Sequence, residues 1–308
     1  MEEGNATQVE VFVLLGFSHL PHLRLILICI FSFLYACTLL ENGLMVLLIK
    51  HNHRLHNPMY FFLANLSAID LFLSSAIVPK MIRDLVSGEG LISLRGCIIQ
   101  LFFFALLAGA ECLFLSLMAF DRYVAICNPL HYINIISHET CFKLISGVWV
   151  LSFLCSLLHT MFTYNIVFCG PNKINHFFCD FLPLFQLACS DITPNLIIVY
   201  VSDFLNGMCN FLIILSSYIS IITTILRITS QKGRLKAFST CASHLTVIFL
   251  YYGTLISTYF HPLRSFLESK DRTASLIYTM VTPALNPLIY SLRNNDVKKA
   301  LKIYFAKV

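Results

Sequence analysis

Apolar residues in this chain neither alternate nor keep to one helical face; they gather in long runs almost free of charge. Seven such runs stand out, approximately Leu25 to Ile49, Met59 to Val78, Ile98 to Phe120, Cys141 to Phe162, Asn195 to Leu226, His244 to Phe260 and Ala274 to Leu292. Each is close to the roughly 20 residues needed to cross a hydrocarbon core of about 30 Å. A backbone in lipid must satisfy its own hydrogen bonds, and the runs are about twice the length of barrel strands, so each is predicted to be a helix. The pattern therefore predicts an all-α membrane protein, a seven-transmembrane helix bundle forming one domain over residues 1–308. Residues 1–24 form an N-terminal tail, 25–292 the bundle and 293–308 a cytoplasmic tail.

Composition agrees: 57% of residues are hydrophobic and 12% charged, about half the charged share of an ordinary soluble domain. Such a chain cannot cover itself with polar surface, and lipid is its solvent. Lys and Arg decide the orientation. The segments holding Lys50 and Arg54, Arg122 to Lys143, Arg227 to Lys236, and Arg293 to Lys307 carry 13 of them against three acids, while the opposite side carries 8 against 9 acids. The positive-inside rule places the C-terminus in the cytoplasm and the N-terminus outside, in a multi-pass protein of the plasma membrane. The acidic start, with Glu2, Glu3 and Glu10, lacks the basic region of a cleaved signal, so the first span is expected to act as a signal anchor. Asn5-Ala6-Thr7 is a glycosylation sequon on the predicted outer tail, whereas Asn65-Leu66-Ser67 falls within a span and is read as unmodified.

Four cysteines, Cys97, Cys169, Cys179 and Cys189, fall on the predicted outer side, where disulfides persist, and three pairings are open to them. Zinc is disfavoured there, since no CxxC or His pair has ligand spacing. His51, His53 and His56 cluster loosely and read as a solvated basic loop. Inside the spans, ionisable residues are costly and mark function. Glu41, Asp70, Glu111 and Asp203 are the four. Asp70 and Glu111 lie mid-span and can face one polar cavity, sharing a proton or a sodium ion, or remain separate neutral acids; paired acids also suit a transporter. Pro79 and Pro287 are expected to interrupt the second and seventh spans, with Asn286 placed to bond the carbonyls that Pro287 frees.

Four strings then carry a resemblance. LHNPMYFFLANLSAID at 55–70, MAFDRYVAICNPLHY at 118–132, KAFSTCASHL at 236–245 and PALNPLIYSLRN at 283–294 resemble the signatures of olfactory receptors, a branch of the rhodopsin-like G-protein-coupled receptors, in that family's order. HFFCD at 176–180 and the spacing of Cys169, Cys179 and Cys189 resemble its long second outer loop. The resemblance implies disulfides Cys97–Cys179 and Cys169–Cys189. It implies that Arg122, in the triplet Asp121-Arg122-Tyr123, is held by its acidic neighbour at rest and faces a G protein when active. Asn286, Pro287 and Tyr290 resemble the seventh-helix switch, and Tyr218 its fifth-helix tyrosine partner. Three departures from the family pattern are Glu41 before Asn42, Ala284 and Leu288 in the seventh span, and Tyr251 in the sixth.

In that family a ligand pocket lies where the outer halves of the third, fifth and sixth helices converge. Helical spacing then selects Phe104, Ala105, Ala108 and Gly109 on the third, Ser202, Asp203 and Asn206 on the fifth, and Tyr252, Leu255, Ile256 and Tyr259 on the sixth. The implied protein is an odorant receptor and not an enzyme: a small volatile ligand shifts the helix equilibrium, a stimulatory, olfactory-type heterotrimeric G protein docks, and cyclic AMP rises. Arg227, Lys232, Arg234 and Lys236 would border the docking site or meet anionic lipid. No cofactor is expected beyond a sodium ion near Asp70 and Glu111. A transporter and an intramembrane enzyme are the competing classes, disfavoured because no inverted repeat and no convincing Ser, His and Asp set appears. Finally, Val297, Ala300, Leu301, Tyr304 and Phe305 recur at helical spacing while Lys298, Lys299 and Lys302 take other positions, so 295–306 is expected to be an amphipathic helix with its apolar stripe on lipid.

Overall fold

The computed structural model describes residues 9–169, 171–259, 270–293 and 295–305, with backbone alone at 232, 236, 239, 240, 255–259, 270, 271, 291–293, 295, 296 and 305. Asn5 and Phe260 lie outside the described residues. In chain order the elements are β1 (Val11–Leu14), α1 (Arg24–His51), α2 (Pro58–Ser87), β2 (Leu91–Ser93), α3 (Leu94–Cys127), α4 (Tyr132–Ile135), α5 (His138–Tyr164), β3 (Lys173–Ile174), α6 (Phe181–Phe185), α7 (Thr193–Leu226), α8 (Gln231–Tyr259), α9 (Lys270–Leu276), α10 (Thr282–Arg293) and α11 (Asn295–Phe305). The helices α1, α2, α3, α5 and α7 are long and apolar enough to cross a membrane. With α8, and with α9 joined to α10 through a π turn at Ile277–Val281, they make a seven-helix bundle.

The bundle holds its polar groups inside, among an apolar core, and turns apolar side chains outward. Asn42, Asp70, Ser74, Glu111, Ser116, Asn210 and Asn286 are buried, whereas Leu25, Phe33, Leu40 and Phe142 are exposed. That inversion is what a lipid solvent selects, because the polar groups find partners only within the bundle. Asn42 donates to the carbonyls of Thr38 at 3.1 Å and Pro283 at 2.9 Å, tying α1 to α10. Asn65 is committed in the same way, donating to the Phe61 carbonyl and accepting from the Trp149 indole at 3.1 Å. Glu41 beside Asn42 has one carboxylate oxygen buried with no partner.

Helix starts follow capping chemistry. Asn57 accepts from the Tyr60 amide ahead of Pro58 at the first helical position of α2, Ser93 caps Gly96 in α3, and Ser137 caps Thr140 in α5. His51 and His56 bond the carbonyls of Leu47 and Ile49 at the end of α1. Several helices outrun their apolar segments: α3 continues to Cys127 and α8 begins at Gln231. Hydropathy marks only the lipid-crossing part, while helical hydrogen bonding extends into the polar flanks.

Two expectations are corrected. Pro79 and Pro287 do not interrupt their helices; both sit inside continuous helices, and the irregularity in the seventh span is instead the π turn at Ile277–Val281. Near Pro79, Gln100 donates to the Ala76 carbonyl at 3.0 Å, the kind of neighbouring-helix partner that lets a span tolerate proline. The apolar stripe of α11 does not all face lipid: Val297 and Ala300 are buried in the main core, with Leu301 and Tyr304 packed partly against it. The helix follows α10 closely enough to lie under α1, so its first turn meets protein, while Lys298, Lys299 and Lys302 remain exposed.

A feature of the N-terminal face has no counterpart in the apolar runs. β1 pairs antiparallel with β2 and parallel with β3, in the order β2-β1-β3, so the N-terminal tail is stitched across the bundle mouth. Gly90 permits this, since a Cβ there would stand 2.0 Å from the Leu14 carbonyl oxygen.

Candidate functional site

A cavity of about 430 Å³ opens among α3, α5, α7 and α8. Phe104, Ala105, Ala108 and Gly109 line it from α3, Ser202, Asp203 and Asn206 from α7, and Tyr252 from α8. The side chains of Leu255, Ile256 and Tyr259 lie outside those described. The structure adds a wall that the sequence reading did not single out: Ser152, Cys155, Ser156 and His159 of α5. Its signal was present, since Ser152, Ser156, His159 and Thr163 recur at i, i+4, i+7 and i+11 in an otherwise apolar span. Cys112, Phe181, Tyr251 and Tyr278 complete the lining.

The polar groups of the cavity have defined roles. The Ser202 hydroxyl donates to the Ile198 carbonyl at 2.6 Å, so it must accept from His159 Nε2 at 2.9 Å. That places the His159 proton on Nε2 and leaves Nδ1 a bare acceptor, buried without a partner. The Ser152 hydroxyl is likewise buried and unpartnered. No cation among the described residues pairs with Asp203. Opposite, the Tyr252 hydroxyl meets the Cys112 sulfur at 3.4 Å and the Tyr251 hydroxyl donates to the Ala108 carbonyl at 2.8 Å. The hydroxyl by which Tyr251 departs from the family pattern thus bonds α8 to α3.

The loop between α5 and α7 roofs the cavity. Cys97 is bonded to Cys179, and Cys169 to Cys189. Gln100, besides its bond to Ala76, accepts from the Cys179 amide at 3.0 Å. Phe104 meets Phe178 at 5.0 Å and Tyr278 at 5.8 Å between ring centroids, and His159 meets Phe181 at 5.3 Å.

His176, also in this loop, is buried against Phe177 and Phe178. It accepts from the Phe178 amide at Nδ1 and meets the Ser275 hydroxyl through Nε2. Burial, with the nearby Arg272 charge, pushes its imidazole down to about 3. A released loop would take up that proton near the ordinary value of 6.5. The loop's docking is therefore fully stabilised above pH 6.5 and weakens progressively as pH falls from there towards 3. Thermal unfolding midpoints of the solubilised protein should fall between about pH 7 and pH 5, and His176→Phe should flatten that slope; an unchanged slope in the variant would remove His176 as its source.

Deeper in the bundle, Asp70 accepts from Asn286 at 3.0 Å through one oxygen. Its other oxygen, one oxygen of Glu111, the Asn286 carbonyl oxygen and the Tyr290 hydroxyl are buried without partners. The two carboxyls interact electrostatically, and two buried charges of one sign cannot coexist unneutralised, so the site suits a shared proton or a small cation.

At the C-terminal face, Arg122 donates to one oxygen of Asp121 at 3.0 Å and 2.6 Å, and Tyr132 donates to the other at 2.7 Å. Tyr132, the last residue of the 118–132 string, lies on the separate helix α4, and nothing in the string marks it as a partner of Asp121. Tyr123 packs partly into the core, 6.3 Å from the Phe120 ring. Tyr218 bonds His244 of α8 at 2.7 Å. In this conformation its hydroxyl is therefore committed to α8 rather than to Tyr290 or Arg122.

The family described as Olfactory receptor matches residues 31–307. Among curated proteins, Olfactory receptor 5B21 of Homo sapiens is 48% identical over 96% of both chains. Olfactory receptor 5AP2 of Mus musculus is 45% identical over 98% of this chain and 95% of its own. Among solved structures, squid rhodopsin superposes with a TM-score of 0.69, covering 92% of this chain and 86% of its own at 17% identity, a likeness of fold.

Proposed function

The chain belongs to the olfactory receptor family, and from that premise we propose that it binds a small volatile ligand in the α3–α5–α7–α8 cavity and activates a stimulatory, olfactory-type G protein that raises cyclic AMP. The observation that carries this reading is the pairing of two sites in one bundle: a cavity with one polar and one aromatic wall, and, at the other face, an arginine held by a buried carboxylate. A ligand that binds better when α3, α7 and α8 rearrange shifts the population that frees Arg122. The N-terminus, with Asn5 glycosylated, then lies outside, and the α11 face meets the cytoplasm.

The polar wall sets the ligand class. With no cation paired to it among the described residues, Asp203 serves as a neutral hydrogen-bonding acid, and with the bare nitrogen of His159 it favours a hydroxyl- or carbonyl-bearing odorant over an amine. The Asp70 and Glu111 pocket holds a sodium ion or a shared proton in the resting state. The test is a cyclic AMP assay against an odorant panel in cells with and without the olfactory G protein. Responses that require the G protein, and that persist for alcohols or ketones in Asp203→Asn, support the reading. Ion or solute flux without the G protein would favour a transporter, and a panel answered only by amines would overturn the ligand class.

A further inference from the structure

The cavity is roofed but not walled. Beneath its roof of Phe178, Cys179 and Phe181, all buried, it reaches the flank of the bundle between α5 and α7. Leu151, Phe204, Met208 and Phe211 line the cavity and yet are 49%, 51%, 39% and 38% exposed. A side chain can do both only at a rim. The two helices each pack along α3 but meet each other at few places. Their one side-chain hydrogen bond among the described residues, His159 to Ser202, spans the gap towards the N-terminal face. Below it Gly207 faces the opening, where an added Cβ would meet no atom within 4 Å. On α7, Asp203, Phe204, Gly207 and Met208 recur at i, i+1, i+4 and i+5 and share one face, while Phe211 packs on Tyr252 of α8 at 5.6 Å between ring centroids.

We propose that ligands enter this cavity sideways, from the hydrocarbon of the bilayer through the α5–α7 gap, rather than through the loop roof. This rests on the cavity being the ligand site. Odorants are small and apolar, and lipid concentrates them: a chain of six methylenes partitions roughly a thousandfold in its favour. Asp203 stands at the rim as an exposed carboxyl in an apolar span, a position too costly to keep without a task. It receives the polar end of an entering molecule and passes it to His159 and Ser202, while the apolar end follows to the aromatic wall of Tyr251, Tyr252 and Tyr278.

Cys155 lines the cavity, whereas Cys29 and Cys209 are exposed on the bundle's outer surface, so the protein carries its own reporter and controls. In membranes, a bilayer-soluble N-alkylmaleimide should label Cys155, with the site read by peptide mass spectrometry. A membrane-impermeant cationic methanethiosulfonate applied in water should not. Gly207→Phe, whose added Cβ would meet no atom within 4 Å, and Leu151→Trp, at the opposite rim, should each slow maleimide labelling of Cys155 on the order of tenfold. Labelling of Cys29 and Cys209 should not change. Ready labelling of Cys155 by the aqueous reagent, or unchanged maleimide rates in both plugged variants, would overturn the sideways route. The experiment needs neither odorant nor G protein, so its failure is separate from failure of the receptor reading.

Discussion

Replacing Arg122 with alanine is expected to abolish ligand-evoked second-messenger output in cells where the protein reaches the surface normally. The expectation comes from the oxygen accounting of Asp121. That carboxylate is buried, with one oxygen taken by two donors of Arg122 and the other by Tyr132. Arg122 can thus leave while Asp121 keeps Tyr132 as a partner, and its departure gives the C-terminal face a free planar cation to meet an incoming helix. Alanine removes that cation in both states. Because loss of a partner at a buried carboxylate can also destabilise the fold, Arg122→Lys serves as the second variant: it keeps a charge beside Asp121 but lacks the two-pronged donor set. Both variants should give output near background, and Arg122→Lys at full surface level. Normal output from either, at equal surface expression, would overturn the assignment of Arg122 as the coupling residue.

Much of the bundle could be read in advance because lipid imposes a simple rule on every span, and the apolar runs that became α1, α2, α3, α5 and α7 obey it. The positions selected on α3 and α7 share the cavity for the same reason: helical spacing fixes which side chains stand together once a helix is given. The fourth wall needed more. Ser152, Ser156 and His159 show helical spacing, but a polar stripe on one span says nothing of which helix it meets, and serine bonds its own helix backbone as readily as a neighbour, as Ser202 does with the Ile198 carbonyl. The sheet at the N-terminal face was out of reach altogether. Its strands have two to four residues and join Val11 to Ser93 and Val13 to Lys173, pairings set by tertiary closure and not by local pattern. Tyr132 ends the 118–132 string, but it reaches Asp121 only because the chain turns back over Pro129–His131 between α3 and α4.

The roof supplies the other large effect. Cys97 opens α3 and Cys179 sits among the buried rings of Phe177, Phe178 and Phe181, its amide fixed by Gln100. Their bridge closes 82 residues of chain, whereas Cys169–Cys189 closes 20. In the chain-entropy picture the first stabilises by about 4.5 kcal/mol and the second by about 3.3 kcal/mol. The longer closure also holds the loop over the cavity, so its loss costs the ligand site as well as the fold. Replacing Cys97 and Cys179 together with serine, which leaves no stray thiol, should therefore lower the unfolding midpoint and surface delivery further than the paired Cys169→Ser, Cys189→Ser change. Surface labelling by flow cytometry and thermal unfolding in detergent measure both. If the Cys97, Cys179 double variant reached the surface as well as the unaltered chain, or better than its Cys169, Cys189 counterpart, the bridge at the head of α3 would not be what holds the roof.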